Sequence, residues 1–169
     1  MIKQIFATVL LVGVLTLLII GADIKEGNII SQSGNIKKEP LEIVLGKYLC
    51  KESNTLITDL YNTAQAIMPN GDTYFFNDIA NVFIWLMRQK NRDDIVVWVY
   101  SQDTQKYILA KSAWYSRDEI TPMGYGFGAY EFHLYGKNDH YYDEILLCAA
   151  RGETLINPLI NILITENRI

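Results

Sequence analysis

The chain has 169 residues, and 15 Lys and Arg stand against 19 Asp and Glu, giving a formal charge of −4. Such mild acidity, with no basic stripe, argues against nucleic acid as a partner. Half of the residues are apolar, a fraction raised by one N-terminal run, whereas every Tyr and Trp lies beyond residue 40.

In chain order, the first feature is MIKQIFATVLLVGVLTLLIIGAD, with Lys3 ahead of a charge-free, mostly apolar stretch from Ile5 to Ala22. As a helix, roughly eighteen residues span about 27 Å, close to the hydrocarbon thickness of a bilayer. Ile20 stands where signal cleavage wants a small residue, so an uncleaved anchor is preferred over a cleaved signal. Lys3 on the short N-terminal side favours export of the remainder. The domain is therefore expected on the exported side of a membrane. Residues 23–40 (DIKEGNIISQSGNIKKEP) are polar, rich in Gly, Ser and Asn, and read as a tether. Residues 41–169 are long enough for one core and read as a single domain.

Within that domain, NTAQAIM and TYFF flank Pro69-Asn70-Gly71-Asp72, and an Asn-Gly turn between apolar runs signals a hairpin. Asn77 or Asp78 then caps a helix to about Gln89, with Ile79, Val82, Phe83 and Leu86 on one face. Further strands are expected at IVVWVY (Ile95 to Tyr100), KYILA, SAWY and AYEFHLY. A turn at Gly136 to His140 closes the sheet. Asp143 opens a helix whose Ile145, Cys148 and Ala149 share a face, and a last helix starts at Pro158 after Asn157. The expected class is α+β, a mostly antiparallel sheet with a few packed helices, preceded by one transmembrane helix.

The stretch TPMGYGFGAYE (Thr121 to Glu131) concentrates the chemistry. An extended chain from Met123 would put Gly124, Gly126 and Gly128 on one face and Met123, Tyr125, Phe127 and Ala129 on the other. A bare glycine face marks a close approach of another backbone, a ring or a ligand. A phosphate loop is disfavoured, because the glycines lead into a strand pattern rather than a helix.

Catalytic signatures are absent: there is no Gly-x-Ser-x-Gly elbow and no His-Glu-x-x-His. Asp143 and Glu144 are adjacent and would diverge on a helix. The two imidazoles, His133 and His140, lack helical ligand spacing, and an enzyme is not expected. Cys148 reads as a small buried hydrophobe, and a disulfide with Cys50 is permitted by an oxidising compartment without being required. Met68 and Met87 read as packing residues. Cys50 with Met123 would make a soft thiolate and thioether pair of the kind that suits Cu(I).

Five blocks run in one order: TAQAI (Thr63 to Ile67), GDTYFFNDIANVFIWL (Gly71 to Leu86), WVYSQDTQKYILAKSAWY (Trp98 to Tyr115), TPMGYGFGAYE (Thr121 to Glu131) and RGETLINP (Arg151 to Pro158). In these the chain resembles the NosL family, accessory proteins of nitrous oxide reductase that act as copper chaperones. The resemblance implies an exported protein that holds Cu(I) and delivers it to a cuproprotein acceptor such as nitrous oxide reductase. It also implies ligands from a Cys-x-Met pair near the start of the domain and from the Met of the Pro-Met-Gly block. Met123 matches the last of these. Ser53-Asn54-Thr55 falls at the Cys-x-Met position, where hard hydroxyls stand in place of soft sulfur. The metal set expected for this chain is therefore Met123 and Cys50, with His133 as a third donor. The alternative is a related binding or scaffolding module that has lost the metal site.

Overall fold

Residues 28–169 are described, in a computed structural model. The apolar run Ile5 to Ala22, read above as a membrane anchor, lies outside the described residues. No helix among the described residues is long and apolar enough to cross a membrane.

The elements follow from the alternation and capping of the sequence. Strands β1 (Ser31–Gln32), β2 (Ala64–Ile67), β3 (Thr73–Phe76), β4 (Val96–Tyr100) and β5 (Tyr107–Leu109) form an antiparallel sheet in the order β1-β3-β2-β4-β5. A second antiparallel pair joins β6 (Trp114–Ser116) to β7 (Gly128–Tyr130). It is fastened to the first sheet through the Gln102 N–H, which donates to the Ala129 carbonyl at 2.8 Å. Three α-helices complete the described chain: α1 (Ile79–Met87), α2 (Tyr142–Arg151) and α3 (Pro158–Thr165). The class is α+β with a mostly antiparallel sheet.

Both faces of the sheet are covered, which is why all four residues of β2 are buried. On one side α1 lays down Ile79, Val82, Phe83 and Leu86, all buried, against Ala64, Ala66, Phe76 and Val99, and α2 adds Ile145, Cys148 and Ala149. Each of the large side chains contributes about 1.5–3 kcal/mol on burial. The opposite face carries Phe75 and Gln65, roofed by Ile43, Tyr48 and Ile57. The buried Gln65 amide is satisfied from that roof: its oxygen accepts from the Leu41 N–H at 2.9 Å and its nitrogen donates to the Leu41 carbonyl at 2.7 Å.

Three expectations are corrected here. The segment 23–40, read as a tether, is from Asn28 onward part of the domain. Ser31 and Gln32 pair with Tyr74 and Thr73, and Asn35 is buried with its side-chain N–H donating to Thr73 Oγ1 at 3.1 Å. Its polarity reflects an edge strand that spends its backbone on β3, a role that needs no apolar period. The extended chain expected from Met123 begins only at Gly128, because Gly124 and Gly126 turn with φ of +74° and +94°. The strand expected at AYEFHLY likewise ends at Tyr130, and His133 lies in the loop beyond it.

The hairpin between β2 and β3 has the expected form. Its loop closes with the Met68 N–H donating to the Asp72 carbonyl at 2.8 Å, and Gly71 has φ +86°. A Cβ on Gly71 would come within 3.1 Å of the Asn35 backbone, so the left-handed turn is also the floor on which the edge segment rests. Gly71→Val is expected to lower stability by about 1 kcal/mol or more, through backbone strain and displacement of Asn35. A thermal melt that matches the wild type would contradict this account of the loop.

Candidate functional site

The site grows from the start of α1. Asp78 is the N-cap, and its buried carboxylate accepts from the Ala80 N–H at 2.9 Å, satisfying one of the free donors of the first turn. The other carboxylate oxygen accepts from the Met123 N–H at 3.2 Å. Thr121 also hydrogen-bonds to this carboxylate through its side chain, while its oxygen accepts from the Tyr125 and Gly126 N–H groups at 3.0 and 3.3 Å. The turn 121–126 is thus tied to the carboxylate through Thr121 and Met123, and closed on itself through the Thr121 hydroxyl. Gly126 is required there: a Cβ would lie 2.6 Å from the Arg117 carbonyl and from Leu155.

On the other flank of the same helix end lies the turn 50–55. It is closed by the Cys50 N–H donating to the Thr55 carbonyl at 2.8 Å, and held to β3 by the Lys51 N–H donating to the Phe75 carbonyl at 2.8 Å. The buried Cys50 sulfur accepts from Asn81 Nδ2 and from the Ser53 N–H, each at 3.5 Å. Asn81 Nδ2 also donates to Asn77 Oδ1 at 2.9 Å, Asn77 Nδ2 donates to Thr55 Oγ1 at 2.8 Å, and the Ser53 and Thr55 hydroxyls share a bond of 2.7 Å. Cys50 reaches α1 through Asn81, and Met123 reaches it through Asp78, three residues earlier on the same turn. Tyr125, partly buried against the core, lies near this helix end. Burial pushes its phenol pKa up, and the neighbouring charges of Asp78, Glu52 and Cys50 act in the same direction.

The third candidate donor lies elsewhere. His133 stacks on Trp114 with ring centroids 4.0 Å apart, packs on Tyr135, and its Nε2 bonds Asp139 Oδ1 at 2.5 Å. None of these partners belongs to the Cys50 and Met123 neighbourhood. His140 pairs through Nδ1 with Glu144 at 3.0 Å on the first turn of α2. Cys148 is buried on α2, burial raises its thiol pKa, and it is not bonded to Cys50. Among the described residues no group of three or more His, Cys, Asp and Glu could hold a metal ion. At the helix end, then, stand the Cys50 sulfur and the Met123 backbone, beside the hydroxyl and amide oxygens of Ser53, Thr55 and Asn77.

Reading the sequence found the cap but not its second duty, and missed Asn81, Thr121 and Tyr125. Asn81 carried a legible signal, a polar residue inside the apolar run that follows the cap. Thr121 carried none, because its role depends on a turn that only the positive φ of Gly124 and Gly126 creates.

Burial raises the Asp78 pKa above its ordinary 3.8, against the lowering effect of its three hydrogen bonds. The native state then binds the Asp78 proton more tightly than the unfolded chain does. Stability from this group accordingly falls as pH rises from 3.8 through the raised native value, and the penalty is complete above it. Asp78→Asn retains a capping oxygen and removes the charge. In metal-free denaturation series, the wild-type stability minus that of Asp78→Asn is expected to decrease as pH rises above 3.8. A difference that is flat or rises with pH would contradict the assignment.

Compared with protein-family models and with curated protein sequences, the chain finds no match.

Proposed function

We propose that the chain is an exported, membrane-tethered NosL-like accessory protein. It carries one Cu(I) between Cys50 and Met123 on the periplasmic side of an inner membrane, and passes the ion to a cuproprotein such as nitrous oxide reductase. The observation that supports this reading is that the Cys50 sulfur and the Met123 backbone N–H, far apart in sequence, both bond side chains at the start of α1. Thiolate and thioether are the donors Cu(I) prefers. The surrounding hydroxyl and amide oxygens of Ser53, Thr55 and Asn77 are hard, so they shape the site without competing for the ion. Two sulfurs leave room for an incoming ligand of the acceptor, which suits a carrier that must release its cargo. Met123 is half-buried on a surface turn, within reach of such a partner. No catalytic step is assigned to the protein.

A second reading has its own observation. The Ser53 and Thr55 hydroxyls, at the positions where the resemblance implies Cys and Met, bond to each other, and Thr55 also accepts from Asn77. A network that closes on itself is what a module retaining the fold without the cargo would have.

Anaerobic Cu(I) titration of the full chain against a competing chelator separates the two. The carrier reading expects Met123→Leu to weaken binding sharply while costing under about 1.5 kcal/mol of stability, since volume and apolar character are kept. Cys50→Ser should weaken binding further, because it also removes a charged ligand. His133→Gln should leave the titration unchanged. Wild-type protein that holds Cu(I) no better than Cys50→Ser would rule out the carrier and leave the scaffold.

A further inference from the structure

Helix α3 has no buried residue, although its sequence, PLINILIT, contains only two polar side chains beyond its proline. Those two are turned back on the chain: Asn161 Nδ2 donates to the Leu155 carbonyl at 3.1 Å, and Thr165 Oγ1 donates to the Asn161 carbonyl at 2.7 Å. What faces outward is Leu159, 64% exposed, and Ile162, 51% exposed, continued by Ile156. An eight-residue helix is marginal by itself and draws its stability from packing an apolar face. A helix apolar nearly all round is normally covered. This one is fastened by its N-terminal end, where the Leu155 N–H donates to the Tyr125 carbonyl at 3.0 Å and Ile156 lies against Gly124.

What covers it is indicated by where the chain enters the fold. In the register that pairs Ser31 with Tyr74 and Gln32 with Thr73, the chain before β1 runs toward the Phe76 end of β3, from which α1 starts. Ile29 sits there, its carbonyl accepting from the Leu49 N–H at 2.9 Å, one residue before Cys50. The chain therefore enters at the same end of the sheet as the start of α1 and the 121–126 turn on which α3 rests. Only Asp23 to Gly27 separate this end from the apolar run that stops at Ala22, which is about 18 Å even at full extension. That is too short for a domain of this size to stand clear of a surface into which the run is inserted.

We infer that the outer face of α3, with Leu159 and Ile162 at its centre, lies on the bilayer interface and fixes the orientation of the domain against the membrane. The inference rests on the anchor reading of Ile5 to Ala22. Contact with lipid is apolar: α3 carries no cationic side chain, so anionic headgroups are not needed, unlike the usual basic interfacial helix.

The test uses the full chain in phosphatidylcholine vesicles, with a nitroxide attached in separate variants at Leu159→Cys, Ile162→Cys and Lys90→Cys. Unsubstituted protein serves as the labelling blank, because Cys50 and Cys148 are buried. Lys90 is exposed just beyond the C-terminal end of α1 and reports the aqueous side. The expected result is a logarithm of the ratio of oxygen to aqueous nickel-chelate collision rates that is positive at 159 and 162 and negative at 90. Carbonate extraction of the same vesicles reads the anchor separately. Chain retained in the pellet with chelate-accessible labels at 159 and 162 overturns the inference and leaves the anchor standing. Labels shielded from both reagents, with dipolar broadening, overturn it in favour of a second copy of the chain. Release by carbonate overturns the anchor reading and the inference with it.

Discussion

The Asp78 carboxylate is the interaction on which the arrangement of the molecule's end depends. It caps α1, holds the Met123 backbone and bonds Thr121 from a position fully shielded from water. Each oxygen therefore does work at a distance in sequence: one starts a helix and the other anchors a turn more than forty residues later. Burial of a carboxylate is unfavourable unless its lone pairs are satisfied, and here they are satisfied by the groups that must be positioned. The cost of the buried charge and the order of the turn are one feature.

From this follows the chemistry available at the helix end. The first turn of α1 presents backbone N–H groups and the positive end of the helix dipole, an environment that favours negative charge. Asp78 occupies it directly. Cys50 approaches the same turn through Asn81, with the Ser53 N–H also directed at its sulfur. Donors aimed at sulfur orient and tune a ligand in much the way outer hydrogen bonds do at metal centres. The Cys50 sulfur and the Met123 backbone N–H are thus held by separate side chains of one helix end, Asn81 and Asp78. The closed set of bonds among Ser53, Thr55 and Asn77 occupies the remaining rim. It is the feature that weighs against metal and in favour of a module that keeps the geometry for another purpose.

The elements with a strong local signal were legible in the sequence. The Asn70-Gly71 turn, the cap and apolar face of α1, the alternation of β4, and Asn157 with Pro158 at the start of α3 each depend on neighbours within a few residues. The failures have a common cause, which is that their structure is decided across the sheet. Asn28 to Pro40 looked like a tether because an edge strand needs backbone partners, not an apolar period. Met123 to Phe127 looked extended because glycine spacing cannot distinguish a strand from a turn with positive φ. His133 was grouped with the sulfur donors on type alone, and its ring in fact stacks on Trp114. Of the site itself, Cys50 and Met123 were legible as types, while the approach of the Cys50 sulfur and of the Met123 backbone to one helix end depended on Asn81 and Asp78 acting across long separations.

The account's central claim is that one helix end gathers Cys50 and Met123 into a shared soft site. X-ray absorption at the copper edge, on full-length protein loaded with one equivalent of Cu(I), tests it most directly. The account predicts a first shell containing two sulfur scatterers at about 2.3 Å, taking the thiolate distance known for zinc as a guide. A shell made of oxygen or nitrogen alone, or a spectrum unaltered when both sulfurs are replaced, would contradict it.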